Sequence, residues 1–290
     1  MLDAVASRPG VAITGATGYL GSRLCDHLSA RGWEVFRLTR KPEPANRHDV
    51  RFALHAGPPD DFFAGRGIEA LVHCSYDFRW HRWDDIHVHN VEGSVRLLRA
   101  AHEQGVKRIV LISTMSAFEG CKSLYGRAKL EIERAAVPLG AIVVRPGLIW
   151  GQRPGGMVGA LAGAVKRLPV LPLIGSGGQM LYAIHEDDLA AIVERLIAGN
   201  DRPAGPITAA CEHGLTFRQV LQTLAARAGR RVVLVPIPWR LFWTPLRLAE
   251  LLGLPLNFRS DSVVSLVNQD PHPEFAATRA LGIPLRDFRA

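Results

Sequence analysis

The run Val11-Ala12-Ile13-Thr14 passes straight into Gly15-Ala16-Thr17-Gly18-Tyr19-Leu20-Gly21, and three glycines spaced three apart at that point restrict the fold more than any other feature. A short β-branched run signals a strand, and the helix-forming residues after Gly18 signal a helix, so the glycines must turn the chain tightly between them. Without Cβ atoms the turn stays narrow, and the first N–H groups of the helix stay open to an anion such as a diphosphate. Strand, glycine turn and helix in this order open a βαβ unit that binds a dinucleotide, with Gly15, Thr17, Gly18, Tyr19, Leu20 and Gly21 facing the ligand.

Strand-like runs at Val11–Thr14, Glu34–Thr39, Val50–Leu54, Ala70–Cys74, Ile109–Ser113 and Ala141–Arg145 then alternate with helical segments. The runs RIVLIS and AIVVR are apolar without alternation, the pattern of strands covered on both faces in a parallel sheet. The expected class is α/β, a Rossmann-type doubly wound parallel sheet. From about Trp150 Pro and Gly become dense, and helices such as Glu186–Ala198 and Phe217–Ala228 dominate. Residues 1–150 are therefore expected to form the dinucleotide-binding domain, and 151–290 a smaller, mostly helical substrate-binding lobe packed on it.

Thirty-five Lys and Arg against 27 acids give a net charge of +8, which suits phosphorylated small molecules or an anionic surface. The cations are scattered without a basic block, so no nucleic-acid partner is expected. Cys25, Cys74, Cys121 and Cys211 lie far apart with no C-x-x-C pair, which fits a reducing, cytoplasmic compartment and offers no zinc set. Asp3, Arg8 and Pro9 interrupt the apolar core that a signal peptide needs. Pro169, Pro172 and three glycines keep Leu168–Ile184 from forming a spanning helix. An oligomer is compatible with the sequence and not required by it.

Tyr125 and Lys129 stand four apart, so on a helix both side chains point the same way. An ammonium beside a phenol favours the phenolate, which predicts a lowered Tyr125 pKa and a general acid/base. At the end of the second predicted strand the sequence reads VFRLTRKP. No acid is there to bond a ribose 2′-hydroxyl; Arg40, with Lys41 or Arg37 in reserve, suits a 2′-phosphate, so NADP is favoured and NAD is the alternative.

TGATGYLG resembles the G-x-x-G-x-x-G fingerprint of the extended and atypical short-chain dehydrogenases, the group of NDP-sugar epimerases, dehydratases and reductases. ALVHCS is similar to the family's fourth strand, NVEGSVRLLRAAHEQGVKRIVLIST to its long helix and fifth strand, LYGRAK to its Y-x-x-x-K, and VVRPGLIWG to its sixth strand. PLIGSGGQMLYAIHEDDLA resembles a substrate-lobe segment, so the likeness covers Val11 to Ala198 and the last third only loosely. The resemblance implies a catalytic Thr114, with Ser113 and Ser116 as neighbouring alternatives, acting with Tyr125 and Lys129. It also implies that Tyr125, Lys129 and Pro146 touch the cofactor, that His73 is structural, and that Asn90 shapes the site. Met115 stands where sugar dehydratases carry an acid, which argues against dehydration.

The activity implied is hydride exchange between NAD(P) and an alcohol or ketone carbon, the substrate being a nucleotide- or lipid-linked sugar. An epimerase that keeps its cofactor, or a non-catalytic dinucleotide-binding subunit, is the alternative. SYDFRWHRW has rings and arginines suited to gripping a ring and a phosphate, or to packing as a surface loop. His185, Asp187 and Asp188 read as a helix start. No metal site is expected from the histidines between His73 and His89. Trp239, Phe242, Trp243 and Leu246, interleaved with Arg240 and Arg247, read as a core-facing helix or one that lies on a membrane surface.

Overall fold

The structure, a computed structural model, describes residues 9–43, 45–152, 155–254 and 258–288. Asp3 and Arg8, on which the signal-peptide expectation rests, lie outside the described residues, as do residues 255–257 of the late apolar stretch. Two compact units form, each from three segments: the described parts of Met1–Ile112, Glu131–Val144 and Ala190–Pro206, and of Ser113–Leu130, Arg145–Leu189 and Ile207–Ala290.

In the first unit β1 (Gly10–Thr14) leads to α1 (Tyr19–Ala30), β2 (Glu34–Thr39), β3 (Asp49–Arg51) and β4 (Ile68–His73). Then come α2 (Trp83–Ile86), a π-helical turn at His87–Glu92, α3 (Gly93–Glu103) and β5 (Arg108–Ile112). After α4 (Leu124–Ala136) the chain continues into β6 (Ile142–Pro146) and β7 (Leu148–Trp150). The central sheet has seven strands in the order β11-β6-β5-β4-β1-β2-β3, with β11 at Ile207–Ala209. β1 pairs in parallel with β2 on one side and β4 on the other, Ala12 standing between Phe36 and Leu71.

Strand order therefore reverses at β1, and the loops after β1 and β4 leave adjacent carboxyl ends, the usual ligand crevice of such sheets. Val11, Ala12 and Ile13 are wholly buried, as are Leu71 and Val72 beside them. Each full burial of a Val, Leu or Ile side chain contributes about 1.5–3 kcal/mol, which makes this the anchor of the sheet.

The predicted strand Val50–Leu54 is cut short. Phe52 still donates its N–H to Thr39 O at 2.8 Å, but the chain then bends and Leu54 packs over α3. A Cβ on Gly93 would lie 2.6 Å from Leu54 O, so Gly93 permits that crossing. The predicted long helix is likewise interrupted, by the π-helical turn that carries Asn90.

The second unit is built on β7, α5 (Gly156–Arg167), β8 (Val170–Ile174), β9 (Met180–Leu181), β10 (Ala183–His185) and the start of α6 (Glu186–Ala198). Beyond β11 come β12 (Leu215–Thr216), α7 (Phe217–Arg227), β13 (Val233–Ile237), α8 (Trp239–Leu251), α9 (Ser260–Val267) and α10 (Ala276–Ala280). Three small ladders hold it: β7 with β10 and β8 with β13 in parallel, β9 with β12 antiparallel. α7 starts in a capping box, Gln219 N donating to Thr216 Oγ1 at 3.1 Å and Thr216 N to Gln219 Oε1 at 2.8 Å. It buries Phe217, Val220, Leu221, Leu224 and Ala225, one face of a helix, in a core shared with Leu148, Leu173 and Val263.

Candidate active site

The glycine turn is as narrow as its composition requires. Gly15 sits at φ +67°, a left-handed conformation that favours glycine, and its carbonyl accepts from Gly18 N at 2.8 Å. A Cβ on Gly21 would stand 2.1 Å from that same carbonyl oxygen. Gly18, in extended conformation, is the N-cap of α1 and offers no side-chain acceptor, so the opening N–H groups of the helix are left for an anion. Here the residues fit a diphosphate: a cradle that side chains would fill, at a helix start with no side-chain cap.

The facing wall follows β4. Thr14 Oγ1 accepts from Cys74 N at 3.0 Å and Ser75 N at 3.1 Å, which occupies the oxygen and directs its own hydrogen at His73 Nδ1, 2.7 Å away. The His73 ring is then neutral with its proton on Nε2, donated to Ser94 Oγ at 2.8 Å. This wholly buried network ties the loop after β1 to the loop after β4. It gives His73 a structural task.

Asn90, also wholly buried, clamps the next stretch from both sides: Asp77 N donates to its Oδ1 at 2.6 Å, and its Nδ2 donates to Asp77 O at 3.1 Å. Burial pushes the Asp77 carboxyl upward, but the Arg79 guanidinium bound to it, helped at longer range by Arg40, outweighs burial and holds it below the usual range. Trp80 stacks on His89 with ring centres 4.1 Å apart, whereas Phe78 is 53% exposed. Part of the SYDFRWHRW loop is thus packed, and the exposed Phe78 leans on Tyr76 with ring centres 4.7 Å apart. At the end of β2, Arg37 reaches Asp49 at 3.3 Å, while Arg40 is exposed. Arg37 is therefore committed elsewhere, and Arg40 and Lys41 are the exposed cations there.

The other predicted residues gather in the second unit. Met115 N donates to Pro146 O at 3.2 Å, joining the loop after β5 to the end of β6. Thr114 Oγ1 accepts from Ser116 N at 3.2 Å, and its hydroxyl hydrogen finds no acceptor among the described residues. Ser116 Oγ is held by Ser265 Oγ at 2.6 Å, which takes one of the two alternatives to Thr114 out of easy use. Gly126, next to Tyr125, lets α4 press on this loop: a Cβ there would lie 2.2 Å from Ser116 O.

Lys129 is 1% exposed, on the Tyr125 face of α4 one turn further. Tyr125 is half-buried, and burial pushes its phenol above the ordinary value. The lowering predicted from Lys129 is therefore not what the phenol shows; desolvation of the phenolate governs it.

One contributor had no sequence signal. Asp261 on α9 accepts from Leu124 N at 2.8 Å through Oδ1 and from Tyr125 N at 3.0 Å through Oδ2. Ser123 completes the cap, its Oγ accepting from Gly126 N at 3.1 Å and its carbonyl from Arg127 N at 3.0 Å. All four N–H groups that open α4 are satisfied, two by a carboxylate 136 residues away in sequence.

At α6 the acids Glu186, Asp187 and Asp188 occupy the first turn, as a helix start requires. Arg286 adds a tie, its backbone N donating to Asp188 Oδ2 at 2.7 Å and its guanidinium to His185 Nδ1 at 2.8 Å and Asp187 Oδ2 at 3.0 Å. The histidines between His73 and His89 do not converge; His87 instead lies 3.4 Å from Glu92 and 3.6 Å from Glu131. Among the described residues the group with metal-ligand spacing is Cys211, His213 and Asp287, their ligand atoms within 4.8 Å of one another.

Three comparisons bear on this arrangement. Ceramide reductase of Caulobacter vibrioides is 28% identical over 243 residues, 80% of this chain and 74% of that protein. An uncharacterized protein of Mycobacterium tuberculosis is 28% identical over 231 residues, but this chain spans only 24% of that protein's length. Among solved structures, MoeE5 with UDP-glucuronic acid and NAD superposes with a TM-score of 0.66 at 20% identity, over 94% of this chain and 99% of that one. The UDP-glucose 4-epimerase of Thermotoga maritima, with UDP-glucose, gives 0.65 at 20% identity, over 89% and 96%. These structures share the fold. The model of the NAD dependent epimerase/dehydratase family matches residues 11–208, well over half of the sequence, and the chain belongs to that family of nicotinamide-dependent enzymes.

Proposed function

We propose that the protein is a reductase that delivers a proton from Tyr125 and a hydride from NADPH to the ketone of a small molecule. The observation that supports it is geometric: Tyr125 and the buried Lys129 share one face of α4, and Thr114 keeps a hydroxyl hydrogen to give, so a phenol that stays protonated at neutral pH has the partners of a general acid. When bound, the reduced nicotinamide supplies the hydride to the carbonyl carbon. Tyr125 gives its proton to the carbonyl oxygen, so the product is an alcohol. Thr114 donates its uncommitted hydroxyl hydrogen to that oxygen and fixes its position. Lys129 would bond the cofactor ribose, and its ammonium would stabilise the phenolate left when Tyr125 has given its proton, while Pro146 would border the nicotinamide. Gly15, Thr17, Gly18, Tyr19, Leu20 and Gly21 would hold the diphosphate, and Arg40 the 2′-phosphate.

The substrate class we assign is a nucleotide- or lipid-linked sugar. MoeE5 and the Thermotoga epimerase carry UDP-sugars, which supports the first, and the name of the Caulobacter relative denotes a lipid, which supports the second. Four free cysteines fit a cytoplasmic setting. The test is NADPH consumption with a panel of nucleotide-sugar and lipid-linked ketones, paired with identification by mass of any nucleotide released on denaturation. Turnover with NADPH and no retained nucleotide is expected. Tightly held NAD(H) with no net consumption would replace this proposal with the epimerase reading, and no turnover at all with the non-catalytic one.

A further inference from the structure

α8 is apolar on both sides. Trp239, Phe242, Trp243 and Leu246 pack against the core of the second unit. Opposite them Leu241, Pro245, Leu248 and Leu252 follow one another at four, three and four residues, a single stripe along the outer face. Leu241 is 67% exposed, Leu248 56% and Leu252 76%, with Leu251 and Leu254 beside them at 68% and 54%. The strand that leads into the helix adds Val233 at 61%, paired in register with Val170 at 50%. A helix with this composition is normally covered on all sides. So much exposed leucine marks a contact surface.

The charges name what covers it. Between Gly229 and Leu254 the ionisable residues are Arg230, Arg231, Arg240, Arg247 and Glu250. Glu250 is buried, its carboxylate accepting from Ser260 N at 2.8 Å and Ser260 Oγ at 2.6 Å, with Arg247 at 3.5 Å. Arg247 is half-buried against it, so the exposed charge, Arg230, Arg231 and Arg240, is all positive. A two-fold pairing of this face with a second copy would set like arginines against each other. An anionic bilayer instead takes the leucines into the headgroup boundary and the arginines onto its phosphates. No described helix is long and apolar enough to cross a membrane, so the contact is one of lying on the surface.

We infer that the outer face of α8 seats the protein on an anionic lipid bilayer. This contact stands independently of the catalytic proposal and agrees with its lipid-linked substrate. Flotation of the full chain with vesicles of phosphatidylcholine mixed with phosphatidylglycerol, and of phosphatidylcholine alone, tests it. The protein is expected to float with the mixed vesicles and to be released by salt. The exposed double substitution Leu248→Glu with Leu252→Glu should weaken binding on the order of tenfold or more while leaving thermal unfolding unchanged. Arg240→Glu with Arg231→Glu should reduce binding to mixed vesicles only. Wild type that stays unbound, or leucine variants that bind as wild type does, would overturn the inference. So would a Leu248-dependent dimer in sedimentation equilibrium that does not float.

Discussion

Replacing Asp261 tests whether the last third of the chain holds the proposed acid in place. In the wild type its two oxygens accept from Leu124 N and Tyr125 N at 2.8 and 3.0 Å, at the positive end of α4. Asp261→Ala leaves both N–H groups to water; loss of a cap costs about 0.5–2 kcal/mol, and loss of the carboxylate from a helix start about 0.3–1 kcal/mol more. Asp261 is half-buried, so solvent replaces it poorly, and a total of about 2 kcal/mol follows, a fall in Tm of roughly 4 °C. Asp261→Asn keeps one acceptor and should lose about half as much. Because Tyr125 is itself one of the two capped residues, kcat should fall more than KM rises, and Asn should restore most of it. Unchanged melting and unchanged kcat in Asp261→Ala would refute the capping role. A drop in Tm with kcat intact would make the cap purely structural.

With the Tyr125 proton held more tightly than in a free phenol, whose pKa is about 10, the reduction rate should stay flat as pH rises through neutrality and fall only beyond that value. The reverse oxidation should climb over the same range, and a reduction midpoint near 7 would show a lowered phenol instead. Gly21→Ala drives a Cβ to 2.1 Å from Gly15 O, so the turn must open; a stability loss of about 1–3 kcal/mol and weakened nucleotide binding are expected in denaturation and titration. Arg40→Ser removes one charge-assisted contact worth about 1.5–3 kcal/mol, so NADPH binding should fall roughly 10- to 150-fold while NADH binding stays constant. Burial raises the Cys25 thiol to about 12, so it should resist alkylation at neutral pH in the folded protein and react on unfolding.

Local pattern carried the parts of the fold that local chemistry decides. β2 spans Glu34–Thr39 and α6 spans Glu186–Ala198, the ranges their periodicity predicts, and α7 begins at Phe217 where the capping box places it. The glycine turn was legible because the steric demand is confined to seven residues. Phe52 and Leu54 were misplaced because a buried apolar pair reads alike in a strand and in a loop that packs on a neighbouring helix. Arg37 stood in reserve behind Arg40 in the sequence, and local pattern did not show that Asp49 would come beside it. Spacing shows that Lys129 is near Tyr125, but not how burial acts on the phenol in the opposite direction. Asp261 and Ser265 reach the loop and helix of Thr114 and Tyr125 from the far end of the chain, and no local motif encodes such a contact.

Single-turnover oxidation of NADPH by a reactive ketone, compared between wild type and Tyr125→Phe, weighs the central claim most directly. Phe keeps the ring and removes only the acidic hydroxyl, so NADPH affinity should be unchanged and the hydride-transfer rate should fall about 10²- to 10⁴-fold. An equal rate in the two proteins would contradict the account, because the proton would then come from another group.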